Sequence, residues 1–181
     1  DHATVVPLLF LKDYLDKFEV VRVGLSGLSI EDHYRLGEAI SETADQLGKR
    51  VVMIASGDLS HKLTESGPYG FSAEGPRFDK EIMECFEDAD FLRMMEIKPE
   101  VCESAAECGH RSFVIMAGAF DKRKVDAHVL SYEGPFGVGY GVATFEGEEA
   151  DPNRNYLDQY IAFENKAREE RMKHEDAYVR L

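Results

Sequence analysis

Residues 50–61, Arg50-Val51-Val52-Met53-Ile54-Ala55-Ser56-Gly57-Asp58-Leu59-Ser60-His61, decide the fold class. The apolar run Val51 to Ala55 reads as a buried strand, and the polar hexapeptide after it as the loop at that strand's carboxyl end. Upstream, Glu19 to Ser26 is strand-like, with β-branched residues and a Gly/Ser stop. Between the two, Ile30 to Lys49 carries Leu36, Ala39, Ile40, Thr43, Ala44 and Leu47 at helical spacing, with Gly48 as a stop. Residues 19–55 therefore read as strand–helix–strand, whose parallel crossover is expected to be right-handed. That is the signature of an α/β protein, and such proteins keep their chemistry beyond the carboxyl ends of strands. His61 arrives there.

The remaining segments extend this picture. Pro7 to Leu15 reads as a loop running into a short helix. Residues 64–77, with Gly67-Pro68, Gly70, Gly75 and Pro76, read as a surface loop. A helix from Arg77 to about Ala89 shows Phe78, Ile82, Cys85 and Phe86 on one face, and Pro99 opens a further helix to about Phe120. Val125–Tyr132 and Val138–Phe145 read as the last two strands, joined by Glu133-Gly134-Pro135-Phe136-Gly137. Gly139, Gly141 and Ala143 share one face of the final strand, which invites close approach by a helix or backbone. From Gly147 the chain turns acidic, then becomes a charged, helix-prone segment to Leu181. It reads as a docked helix that becomes a solvated linker.

Composition narrows the function classes. The chain has 181 residues, 44% hydrophobic and 31% charged, which suits one globular domain. A net charge of -14 argues against nucleic acid and anionic membrane as partners. No apolar stretch approaches the ~20 residues of a membrane span. Three cysteines without zinc-type spacing favour a reduced, cytoplasmic setting. With no initiator Met and a functional-looking phrase at residue 2, the chain is expected to be a piece of a longer protein.

Three residues stand out as carriers of chemistry. His61 suits a general acid/base, because imidazole titrates near neutrality and a strand end holds it rigidly; the alternative is a loop histidine capped by Ser60 or Asp58. Asp58 can orient the imidazole or serve the local turn. His2 begins the phrase Asp1-His2-Ala3-Thr4-Val5-Val6-Pro7-Leu8, which reads as the start of a buried element. Cys108 falls on a stripe with Val101, Ala105, Ser112, Met116 and Ala119, so a continuous helix turns it inward, as a ligand or as a small buried thiol. Glu107 and His110 fall on the polar stripe, and His110 diverges from Cys108. The glycine-rich Gly134–Gly141 stretch reads as a tight connection, since no helix follows to receive phosphate. His33, His128 and His174 carry no functional signal.

These phrases carry a family resemblance. Asp1 to Leu8 resembles the DHGTxxPL phrase of class III extradiol dioxygenases, the LigB-like superfamily, and Ser56 to His61 resembles that family's second active-site histidine motif. Gly67-Pro68-Tyr69-Gly70-Phe71, Glu107-Cys108-Gly109 and Ser131 to Gly141 are closer still to the LigB-like domain of AmmeMemoRadiSam system protein A, with Memo-type proteins as more distant relatives. The match covers most of residues 1–146, and the closing Asp176 to Leu181 resembles the lead-in to an Amme-type domain.

The resemblance implies a three-layer α/β/α LigB-like domain over residues 1–147, with a mostly parallel or mixed sheet and without its N-terminal part. Residues 148–181 would be a charged helical linker. It implies an aromatic ring-opening oxidoreductase that holds Fe(II) with two histidines and a glutamate, a small aromatic substrate, and room for a homo-oligomer. The two metal histidines match positions upstream of this chain, so His2 and His61 correspond to acid/base and substrate-positioning histidines. The third ligand corresponds to the Glu107–Gly109 region, where Memo-type relatives carry cysteine. A Cys108 thiolate favours zinc, copper or iron over a hard oxygen site. The chain alone would then be inactive and hold little or no metal. A non-catalytic, Memo-like binding scaffold using the same pocket is the alternative from another class.

Overall fold

A computed structural model describes residues 2–15, 17–147 and 149–179. Asp1 of the opening phrase and Arg180-Leu181 of the closing one lie outside the described residues, as does the side chain of His174. Among the described residues, seven α-helices and one hairpin make up the architecture: α1 (His2–Leu11), α2 (Ile30–Gln46), α3 (Glu74–Asp88), α4 (Phe91–Met95), α5 (Pro99–Ala105), α6 (His110–Ala119), β1 (Asp126–Glu133), β2 (Tyr140–Glu146) and α7 (Tyr156–Val179).

Local chemistry sets the ends of α2. Ser29 Oγ accepts from the Asp32 N–H at 3.1 Å while the Asp32 carboxylate accepts from the Ser29 N–H at 3.2 Å, a reciprocal capping box. Gly48 ends the helix at φ +60°, a conformation open to glycine at little cost. The helix then packs against α6 almost backbone to backbone. A Cβ on Gly37 would fall on the Ile115 carbonyl, and one on Gly118 on the Tyr34 carbonyl. Tyr34 is fully buried beside this contact and donates from its hydroxyl to Asp121 Oδ1 at 2.8 Å.

The core is built from α3, α4 and α6. The expected apolar face of α3, Phe78, Ile82, Cys85 and Phe86, is buried, and it meets Phe91, Met94 and Met95 of α4. Phe86 packs edge-on against Phe113 and Phe145, with ring centroids 5.1 and 5.5 Å apart, a favoured aromatic geometry. The start of α7 docks on this cluster through Leu157, Tyr156, Tyr160 and Ile161, and beyond it the helix is mostly exposed. Its amino end is pinned by Arg154, which donates to the Ala89 carbonyl at 2.8 Å and covers the Phe91 and Tyr156 rings.

β1 and β2 pair antiparallel from Asp126↔Glu146 to Glu133↔Tyr140, with a bulge between Val129 and Ser131. The small face of β2 turns inward as expected. A Cβ on Gly141 would stand 2.6 Å from Met83 Sδ, and one on Gly139, just before β2, would fall on Asp79 Oδ2. The Pro135–Gly137 turn makes the tight connection expected of the glycine-rich stretch.

The α/β class holds, and three local expectations are corrected. Residues 19–26 and 50–55 form no strand among the described residues, and Val21 and Val52 are 87% and 86% exposed. β-branched runs mark chain that suits a pleated, half-buried surface, but a ladder needs a neighbour. α1 begins at His2 rather than after Pro7, and it buries no side chain. The helix expected over 99–120 is two helices, broken where Ala106 adopts φ +53°.

Candidate metal and acid–base site

Residues 57–63 are threaded between two other segments by backbone bonds. On one side the Leu59 N–H donates to the Gly139 carbonyl at 2.9 Å, the Gly139 N–H to the Ser60 carbonyl at 2.8 Å, and the Leu63 N–H to the Gly137 carbonyl at 3.1 Å. On the other, the His61 N–H donates to the Ala105 carbonyl at 3.1 Å and the Cys108 N–H to the Asp58 carbonyl at 3.3 Å. Ser60 points inward, its hydroxyl donating to Ala105 at 2.9 Å. The loop is thus held as rigidly as a central strand, and His61 is presented from it.

Beneath the loop lies Asp79, 1% exposed on the apolar face of α3. Its carboxylate accepts from the Ser60 N–H at 2.7 Å and from the Tyr132 hydroxyl at 2.8 Å. Burial pushes its carboxyl above the usual aspartate range, and the two donors and nearby His61 only partly oppose that. Asp79 is the buried carboxyl on which the loop rests.

Three donor groups converge above it. His61 Nε2 lies 3.3 Å from Asp58 Oδ2 and 3.8 Å from Cys108 Sγ. The Asp58 N–H donates to that sulfur at 3.2 Å. All three ligand atoms lie within 4.8 Å of one another. The Tyr69 ring stacks on the imidazole at 5.2 Å between centroids, tilted by 24°. The His61 side chain is 17% exposed and that of Asp58 44%, so the group is open to a ligand. Burial about the sulfur pushes the Cys108 thiol up, helped by the carboxylates of Asp58 and Glu107 and opposed by the Asp58 N–H. A thiol raised in this way is a poor nucleophile at neutral pH, which disfavours a cysteine hydrolase. The group can hold a cation, or it can pass a proton through an Asp58-steadied imidazole.

A second group lies behind the helix break. His110 is buried, and its Nε2 donates to the Met94 carbonyl at 2.8 Å. Its Nδ1 is 3.7 Å from Cys102 Sγ, and Glu107 completes the group within 4.8 Å. Glu107 Oε2 also accepts from the His110 N–H at 2.6 Å. Burial first, then the Glu107 charge, pushes the Cys102 thiol up to about 12, and burial lowers the His110 imidazole.

The structure brings His61, Asp58 and Cys108 together. His2 stands exposed on α1 and joins neither group. Cys108 reaches His61 by a route other than the expected one, since it sits exposed in the break and not on an inward helical stripe. The same break reverses the expectation for His110, which is buried rather than on a polar face, and turns Glu107 back onto the α6 amino end. His110 and Cys108 do diverge as expected. Sequence reading missed Asp79, although a carboxylate among Phe78, Ile82 and Phe86 on one helix is itself a signal.

Comparison with known proteins bears on this geometry. Residues 1–143 match the family model of the catalytic LigB subunit of aromatic ring-opening dioxygenase. The chain belongs to the LigB family. It is also 35% identical over 181 residues to Protein CA_C1420 of Clostridium acetobutylicum, an alignment covering 100% of this chain and 38% of that protein. The LigB match spans the Ser56–His61 loop, Asp79, Cys108 and β1, and ends within β2. Metal-capable side chains therefore lie inside the family region. No helix among the described residues is long and apolar enough to cross a membrane.

Proposed function

We propose that this chain carries the acid–base and one-ligand portion of a metal-dependent oxidoreductase of the class III extradiol type, acting on a small aromatic substrate. The observation that supports it is the convergence of His61 Nε2, Asp58 Oδ2 and Cys108 Sγ at one surface of a LigB-family domain. Their mutual spacing is that of donors around one cation, so the residues present fit a metal. Cys108 would hold it, with the Asp58 carboxylate within reach as a further donor, and His61 Nε2 beside them is left to handle protons.

When bound, ferrous iron would supply the Lewis acidity and electrons that oxygen chemistry needs. The protein's own part is proton movement. His61, restrained by the Tyr69 ring and the Asp58 carboxylate, accepts a phenolic proton at Nε2 and later returns it. Asp58 steadies the imidazolium that forms, and the rigid loop prevents the ring from drifting. His2 is assigned to substrate or oxygen contact on the family pattern alone. A second reading, a metal-binding or ligand-binding scaffold without turnover, is favoured by one observation: the converging donors are one imidazole, one thiol and one carboxylate, not two imidazoles and a carboxylate.

The test is anaerobic Fe(II) loading, metal analysis, and oxygen uptake with catechol for the chain joined to the upstream segment that the family pattern places before it, and for His61→Ala in that protein. Uptake with the appearance of a ring-opened product, lost at least 100-fold in His61→Ala, supports the enzyme reading. Catechol binding without oxygen uptake supports the scaffold, and an equal rate in His61→Ala removes His61 from the chemistry.

A further inference from the structure

We infer that Cys102, Glu107 and His110 form a second cation site, built for a zinc-like ion, that clamps α5 to α6 behind the helix break. The His110 tautomer is set by its carbonyl partner. The Met94 carbonyl can only accept, so the proton of this buried imidazole is on Nε2 and Nδ1 is bare. A carbonyl-anchored imidazole presenting its other nitrogen is the arrangement that orients metal-ligating histidines.

Nδ1 faces Cys102 Sγ at 3.7 Å. With zinc–sulfur and zinc–nitrogen bonds of about 2.3 and 2.1 Å at a tetrahedral angle, the sulfur–nitrogen edge is about 3.6 Å. The pair therefore needs almost no movement to share an ion. Glu107 supplies the third donor. One of its carboxylate oxygens lies within 4.8 Å of both atoms, and its Oε2 accepts from the His110 N–H, which restrains the carboxylate. Thiolate, carboxylate and imidazole neutralise a divalent cation, so the half-buried site holds no net charge. On binding, the Cys102 sulfur gives its lone pair to the ion and its proton to solvent. Three protein donors leave a fourth position for water.

This site differs from the one assigned to function in residues and in exposure, which makes it separable by mutation. Cobalt(II) serves as the probe, because thiolate ligation adds a near-ultraviolet charge-transfer band. The titration uses Cys108→Ser protein, so the open group has no thiolate. Cys85 is sealed in the core, so a thiolate band reports Cys102. One equivalent of cobalt carrying that band is expected, and the band should vanish on adding Cys102→Ser or Glu107→Gln. Excess zinc should raise the Tm of Cys108→Ser protein by several degrees, and of Cys108→Ser/Glu107→Gln not at all. No thiolate band with Cys108→Ser, or a band that survives Cys102→Ser or Glu107→Gln, overturns the inference. In that case the Cys102 thiol simply donates to Nδ1.

Discussion

On either side of the Ala106–Gly109 break, similar donor atoms meet in opposite settings. In front, Asp58, His61 and Cys108 are held by a rigid loop yet remain reachable, with a stacked tyrosine as partial cover. Behind, Cys102, Glu107 and His110 are set among Met94, Phe78 and the amino end of α6, and His110 is 3% exposed. A carboxylate in front faces the imidazole from solvent, whereas behind it caps a helix. The difference teaches that donor identity does not assign a role. Exposure separates them: the front group is open to solvent, whereas the rear group is packed between two helices.

The largest effect that would break this comparison is a difference in stability. His110→Ala removes a buried ring that meets Phe78 edge-on and leaves the Met94 carbonyl without its donor. It should cost about 2–4 kcal/mol in urea unfolding. His61→Ala removes a partly exposed ring and should cost under about 1 kcal/mol. Equal costs would mean that the two groups are alike in burial after all.

Thiol reactivity sharpens the contrast next. Cys108 is exposed, whereas the Cys102 thiol is half-buried and pushed up to about 12. Iodoacetamide at pH 8 should alkylate Cys108 at least about tenfold faster than Cys102, read by peptide mass spectrometry. A reversed order would show that the rear group opens more readily than its packing implies.

The smallest effect is a change of slope with pH. Asp79 has its carboxyl raised in the folded protein, so its charged form opposes folding. Its contribution is therefore fully present below the unfolded value of about 4 and is lost as pH rises through the raised folded value. Asp79→Asn keeps an oxygen to accept from the Ser60 N–H, turns its amide N–H toward the Tyr132 hydroxyl oxygen, and cannot ionise. Relative to it, the wild-type protein should lose stability as pH climbs from 4 towards neutrality, measured by urea midpoints. Parallel profiles would remove Asp79 as the charge beneath the front group.

Much of this molecule could be read from residue order, because the signals are local. Periodicity marks α2 and α3, with Gly48 as a stop. Pro99 marks the start of α5, and the alternation in β2 marks its small face. The hexapeptide ending at His61 marks the site. What could not be read depends on the break after Ala105. Continuous helical spacing through 99–120 hid a two-helix segment, because an alanine in the left-handed region leaves no mark that a glycine would have left. With the break unseen, Cys108 pointed inward and His110 outward, the reverse of what folding does. The strands expected at 19–26 and 50–55 failed for a related reason, since pairing belongs to the neighbour as much as to the segment.

The residue order by itself determined the α/β class, the LigB resemblance and the positions of His61 and Cys108 as candidates, since each rests on neighbours within about one turn or one strand. Tertiary structure alone decided that Asp58, His61 and Cys108 share a few ångströms, that Asp79 lies beneath them, and that His110 turns away to Cys102. Those contacts join residues up to 50 positions apart, and backbone bonds from three segments, not side-chain pattern, bring them into register.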